Sequence, residues 1–235
     1  MKYTIAYTEN VAQASILLSQ LTSSRSPAVP AIGLMDGRPG LGKTMATLKL
    51  LNNIENGVYL RAVRLETPGS FLDRLLKELG IRDRPRNKMV KFERVVDALS
   101  MEPKVIFLDE ADYYMDQPDL LEMIRDIHDL TDTVIILVGM DKIARKVKML
   151  PQLDSRISAR YEFQPAAIED LQVMVRDLLE DGIEVADDLL RRVLLETHGS
   201  YRLSAIALET IERKAQVDGV QLIDLAHWGE DERVI

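Results

Sequence analysis

The segment Gly37-Arg38-Pro39-Gly40-Leu41-Gly42-Lys43-Thr44 matches the pattern G-x-x-x-x-G-K-S/T at every specified position. Each residue type has a chemical reason. Glycines let the main chain curl so that consecutive N–H groups point inward at phosphate oxygens, which makes Gly37, Pro39, Gly40, Leu41 and Gly42 a cradle for an anion. A helix starting where the cradle ends adds its positive pole. Lys43 brings a mobile ammonium to the outer phosphates, and Thr44 offers a hydroxyl oxygen to Mg2+. A chance glycine-rich turn would satisfy the letters alone. Here an apolar run precedes the motif and a helical pattern follows it, the setting a phosphate loop requires. The ligands expected are ATP and Mg2+.

A second segment, Val105-Ile106-Phe107-Leu108-Asp109-Glu110, is an apolar run ending in adjacent carboxylates. A strand that simply meets solvent would look the same. Beside a matched phosphate loop the pair reads as hydrolytic chemistry: Asp109 holds the metal's water shell, and Glu110 orients or deprotonates the attacking water. Asp112 reads as a structural neighbour.

Composition narrows the classes around these motifs. The 235 residues include no cysteine, so disulfides, thiolate metal sites and cysteine nucleophiles are excluded and a reducing, cytoplasmic setting is expected. His128, His198 and His227 are too scattered for a shared metal site and are expected at surface or half-buried positions. The N-terminal residues lack the pattern of an export signal. The longest apolar run, Val134–Val138, has five residues where a membrane span needs about 20, so no membrane partner is expected.

Short apolar runs at Ala31–Met35, Val58–Val63, Val105–Leu108 and Val134–Val138, with a weaker one at Arg160–Phe163, read as buried parallel strands. Helical spacing falls between them at Thr44–Ile54, Gly69–Leu79, Val90–Leu99, Leu120–Leu130 and Lys142–Met149. A leading helix, Glu9–Leu21, is expected to pack Ile16, Leu17, Leu18 and Leu21 on the sheet and to exit through Ser23–Pro27. The alternation predicts an α/β fold, a parallel sheet sandwiched by helices. Beyond Phe163 only helices are expected, near Ile168–Leu179, Ala186–Thr197 and Leu203–Val217. Pro165–Ile235 carries 16 acids against 7 bases, whereas Met1–Gln164 is nearly balanced. The expected division is therefore a nucleotide-binding domain at 1–164 and a small acidic helical lid at 165–235.

With these motifs in place the chain resembles the AAA+ ATPases from about Ala31 to Val217, Asp-Glu-Ala-Asp after an apolar strand being a common form of their second motif. The resemblance implies roles for three arginines. In Leu153-Asp154-Ser155-Arg156-Ile157, Arg156 is similar to the arginine that reaches a neighbouring subunit's nucleotide, with Arg160 the second choice. In Gly199-Ser200-Tyr201-Arg202-Leu203, Arg202 is similar to the lid arginine that contacts its own subunit's phosphates. A guanidinium supplied in trans would make hydrolysis depend on assembly. One departure is visible: where these proteins commonly place Asn or Thr after the fourth strand, this chain reads Gly139-Met140-Asp141. Either Asp141 or a backbone group substitutes, or hydrolysis is slow, as suits a switch.

Within the family the chain looks most like the DNA-transposition ATPases, the MuB/TnsC-like branch related to ExeA-type ATPases. That resemblance implies rings or helical filaments on duplex DNA, a self-partner across the nucleotide site, and a transposase as client. The leader before the phosphate loop is short, so DNA contact is expected from the ATPase core. Two basic clusters could meet phosphates without reading sequence. One lies in an expected loop, with Arg84, Arg86, Lys88 and Lys91; the other holds Lys142, Arg145 and Lys146. Each could equally be a solvated face. The competing readings are a nucleotide-gated protein-interaction ATPase without DNA binding, and a small-molecule kinase on the same loop.

Overall fold

The computed structural model describes residues 1–23, 29–83, 85–229 and 231–235. Most of the expected exit segment after the first helix, and Arg84, lie outside the described residues. The chain folds into two compact units. One is formed by Gln13–Gly37 and Thr47–Glu162, the other by Met1–Ala12, Arg38–Ala46 and Phe163–Ile235.

In the first unit, β1 (Ile32–Asp36), β2 (Gly57–Arg61), β3 (Val105–Asp109), β4 (Val134–Val138) and β5 (Ile157–Glu162) form one sheet in the order β2-β3-β4-β1-β5, all pairings parallel. β1 and β3 are buried at every position, as continuous apolar runs covered on both faces must be. Preceded by the short α7 (Pro151–Asp154), β5 is an edge strand with mixed burial. It begins at Ile157, earlier than the expected Arg160, because an edge strand alternates polar and apolar residues.

Helices α3 (Pro68–Glu78), α4 (Lys88–Met101) and α5 (Pro118–Thr131) pack Phe71, Leu75, Val95, Leu99, Ile124 and Ile127 into the core built on β2, β3 and β4. α1 (Glu9–Thr22) buries Leu17, Leu18 and Leu21, but Ile16 is 50% exposed, contrary to expectation. At 100° per residue the neighbour of a buried pair rotates off the face. His128 is also corrected: it is buried, its Nε2 accepting from the Ala31 amide at 3.4 Å while Nδ1 donates to the Thr133 carbonyl at 2.9 Å. It serves as a polar link inside the core.

The second unit contains α8 (Ile168–Leu178), α9 (Asp187–Thr197) and α10 (Tyr201–Asp218), packed through Leu171, Met174, Leu190, Val193, Leu208 and Ile211. It is not purely helical. β6 (Glu184–Val185) pairs in parallel with β7 (Leu222–Ile223), and α11 (Leu225–Trp228) follows. Two-residue strands carry no readable period. Among the described residues no helix is long and apolar enough to cross a membrane.

Candidate functional site

The phosphate loop runs directly into α2 (Lys43–Asn52), so its closing residues sit at the positive end of a helix. Gly40 has φ of +84°, and a Cβ there would lie 2.6 Å from the Ser200 hydroxyl oxygen. Glycine alone satisfies both the left-handed backbone and the close approach. Lys43 Nζ donates to the Arg38 carbonyl at 2.8 Å. That acceptor is neutral, and a phosphate oxygen makes a stronger, charge-assisted bond.

The loop is held from behind by groups of its own unit. Ser200, the N-cap of α10, accepts from the Leu203 amide and donates to the Gly40 carbonyl at 3.5 Å; the Arg202 amide donates to the same carbonyl at 3.1 Å. Main-chain contact thus brings Arg202, exposed in the first turn of α10, to the loop. Asn10 is buried and donates to the carbonyls of Leu41 at 3.1 Å and Gln164 at 2.9 Å, while accepting from the Gln164 amide at 3.1 Å. A lone polar residue at the start of a helix had given no reason to single out Asn10.

The sheet unit carries the acidic strand end. Register places Arg61 of β2 beside Asp109 of β3. The Tyr59 phenol donates to Asp109 Oδ2 at 2.8 Å, and the Glu110 amide donates to Asp109 Oδ1 at 2.9 Å. A buried carboxylate oriented in this way suits a hydrated Mg2+, which keeps several of its waters. Burial, and then the bond to Asp109, raises the Tyr59 pKa. Among the described residues no three carboxylates or imidazoles converge as a metal cage; Mg2+ is ordinarily held by one or two protein groups together with phosphate oxygens.

Glu110 opens a 3-10 turn, Ala111–Tyr114, from a left-handed conformation with φ of +55°. Its Oε1 accepts from Arg61 Nη2 at 2.5 Å, and this bond raises the Arg61 pKa. Glu66, buried after β2, takes both of its oxygens to Arg74 Nη1 at 2.7 and 2.9 Å and accepts from the Tyr114 phenol. Arg74 Nη2 also donates to the Arg61 carbonyl at 2.7 Å. The buried charge is thereby paired, as it must be. Burial first, then the Glu66 bond, raises the Tyr114 pKa.

The two candidate arginine fingers are paired within their own chain. Arg156 donates to Asp129 at 3.1 and 3.4 Å, and Arg160 to Asp154 at 2.6 Å. Both pairs are partly exposed.

The first basic cluster needs correction. Of its described residues only Arg86 precedes the helix, because Asn87 caps α4 and Lys88 starts it. Lys91 is 9% exposed, with Nζ on Asp73 at 2.6 Å. Lys91, Val95 and Leu99 recur at intervals of four, which turns all three to the buried face. Arg94 pairs with Asp83 at 2.7 Å. In the second cluster, on α6 (Ile143–Lys148) and its cap, Lys146 contacts both Asp116 oxygens at 2.9 Å. Arg86, Lys88, Lys142 and Arg145 are exposed and have no carboxylate partner among the described residues.

A glycine loop feeding a lysine-led helix, and a buried parallel strand ending in Asp-Glu, define the core of a phosphate-loop protein. The sequence profile of the AAA domain family matches residues 29–147, and the chain belongs to that family. The Replication factor C small subunit of Sulfolobus acidocaldarius is 29% identical over 191 residues, covering 76% of this chain and 54% of that protein. Among solved structures, Cdc6p from Pyrobaculum aerophilum superposes with a TM-score of 0.66 at 20% identity, covering 92% of this chain and 63% of that one. The Aeropyrum pernix Orc1 protein, solved in complex with DNA, gives 0.64 at 18% identity, covering 93% and 62%. The chain spans about half the length of the curated relative and less than two thirds of the two solved chains.

Proposed function

We propose that this chain is a nucleotide-gated, duplex-DNA-binding ATPase of the MuB/TnsC-like branch that assembles into rings or helical filaments and selects target sites for, or activates, a transposase. Residues 1–164 act as the nucleotide-binding domain and 165–235 as the lid. Gly37, Pro39, Gly40, Leu41, Gly42, Lys43 and Arg202 bind the phosphates, Thr44 and Asp109 the Mg2+, and Glu110 activates water. Arg156, or failing that Arg160, completes a neighbour's site by exchanging its own carboxylate for phosphate, so that turnover is slow and follows assembly.

One observation carries the DNA reading. In a chain of net charge −8, Arg86, Lys88, Lys142 and Arg145 stay exposed without a carboxylate partner among the described residues. Repeated along an assembly, such cations track a phosphate backbone without reading sequence. The test is electron microscopy with duplex DNA and ATP or a non-hydrolysable analogue, paired with reversal to Glu at Arg84, Arg86 and Lys88. Nucleotide-dependent assemblies on DNA, lost on reversal with turnover preserved, are expected; monomers under every nucleotide condition reject the proposal. The rival reading, a protein client without DNA, draws on Leu65, 89% exposed beside exposed Val63 in the loop between β2 and α3. Assembly without DNA retention would favour it.

A further inference from the structure

Asp112 is the third carboxylate of the acidic turn, and the roles above do not use it. β4 ends at Val138, and the chain leaves through Gly139 and Met140. The Met140 amide donates to Asp112 Oδ2 at 2.7 Å, while the Gly139 amide still donates to the Met35 carbonyl of β1 at 3.0 Å. The approach is close: a Cβ on Gly139 would stand 2.5 Å from Asp112 Oδ2 and 2.7 Å from Ile143 Cδ1. Nothing larger than glycine fits without displacing that carboxylate.

On its own side, Asp112 belongs to the tight turn that begins at Glu110, where the Tyr113 amide donates to the Glu110 carbonyl at 3.1 Å and the Met115 amide to the Asp112 carbonyl at 3.3 Å. The turn is therefore fixed from two strands. From β2 come Tyr59 to Asp109 and Arg61 to Glu110; from the end of β4 comes Met140 to Asp112. The first two are side-chain contacts that one rotamer change undoes. The third ties the Asp112 carboxylate to a main-chain amide, and the close approach of Gly139 leaves that carboxylate little room to turn away, so it sets where the turn itself lies.

We propose that Asp112 is a positioning residue for ATP hydrolysis: by gripping the Met140 amide it sets the acidic turn, and with it Glu110, at the end of β4. It takes the place of a polar side chain at the strand end, where this sequence has Met140. The proposal rests on the assignment of Asp109 and Glu110 to hydrolysis. A displacement of an activating group by about 1 Å costs up to roughly a hundredfold in rate, so part of that range is the expected size of the loss.

The test is single-turnover ATP hydrolysis by the full chain, with ATP affinity measured separately. Asp112→Ala should lower the rate about tenfold with affinity within about twofold of the parent, the signature of a contact that matters only in the transition state. Asp112→Asn, whose amide oxygen still accepts from Met140, should recover most of the rate. Gly139→Ala, which evicts the carboxylate, should match Asp112→Ala. Amide hydrogen exchange at Met140 should quicken in Asp112→Ala and return toward the parent in Asp112→Asn.

Parental rates in Asp112→Ala or Gly139→Ala would overturn the proposal. So would Asp112→Asn as slow as Asp112→Ala, which would mark the carboxylate as an acid or base instead. Should Asp112→Ala not fold, the Gly139→Ala and Asp112→Asn rates decide alone. Glu110→Gln serves as the separate control: full turnover there would remove the underlying assignment, whatever Asp112 does.

Discussion

In the unit that carries the phosphate loop, the supports are neutral. Carbonyls of Gly40, Leu41 and Gln164 receive hydrogen bonds from the Arg202 amide, the Ser200 hydroxyl and the buried Asn10 side chain. In the sheet unit the supports are mostly charged: Glu110 lies on Arg61, Glu66 on Arg74, and Asp112 on a main-chain amide. A neutral buried network hardly notices salt or pH and is costly to break. An exposed ion pair is screened and can trade partners. The difference fits a division of labour in which the anion cradle is kept in shape while Glu110, the carboxylate proposed to activate water, is restrained only until something competes for its guanidinium.

The widest separation between the two regions should come from Glu110→Gln against Lys43→Ala. The first should cut turnover by at least about a hundredfold while leaving ATP binding intact. The second should weaken ATP binding roughly 10- to 100-fold, through loss of a charge-assisted bond, and abolish nucleotide-dependent self-association. Fluorescence titration with a labelled nucleotide beside single-turnover hydrolysis separates them. Equal loss of binding in both would erase the distinction drawn here.

Asn10→Ala probes the neutral network directly. It leaves the Leu41 and Gln164 carbonyls without their buried donor, at a cost of about 1–3 kcal/mol each. Thermal denaturation should show a clear loss of stability, equal at low and high salt. A salt-dependent loss would assign this network to the charged kind after all.

Arg61→Ala should act in the opposite sense on the other region, raising turnover roughly two- to fivefold by releasing Glu110 from a partly exposed pair. In the parent, added salt should reproduce part of that rise. A fall in steady-state turnover would show that Arg61 assists Glu110 and does not restrain it.

The smallest effect at neutral pH belongs to Tyr59 and Tyr114. Both phenols have raised pKa values, so above the ordinary tyrosine range the unfolded chain sheds protons that the folded chain keeps. Their stabilisation is complete below about pH 10 and declines as pH climbs toward the folded values. Tyrosinate absorbance should reveal two late-titrating groups, one of which disappears in Tyr59→Phe. Early titration of both would loosen the picture of a buried clamp.

The sheet was legible because central parallel strands are unbroken apolar runs: Val134–Val138 was placed to the residue, and β1, β2 and β3 to within one or two. The edge strand β5 and the pair β6–β7 were less legible because alternation and two-residue length leave weak periods. The motif residues announced themselves by type and spacing. Their supports did not, since Arg61 meets Glu110 and Met140 meets Asp112 only through the register of parallel strands separated in the chain by helical crossovers. Lys91 was misjudged for a related reason. Charge count says how many cations a segment holds, while helical phase decides which way each one points.

The backbone at Glu110 has a consequence for variation. A glycine there would shed roughly 1–2 kcal/mol of steric cost together with the carboxylate. On the role proposed for Glu110, robustness and catalytic competence therefore pull this one codon in opposite directions, and a screen for heat-resistant variants would be expected to harvest inactive ones at this position.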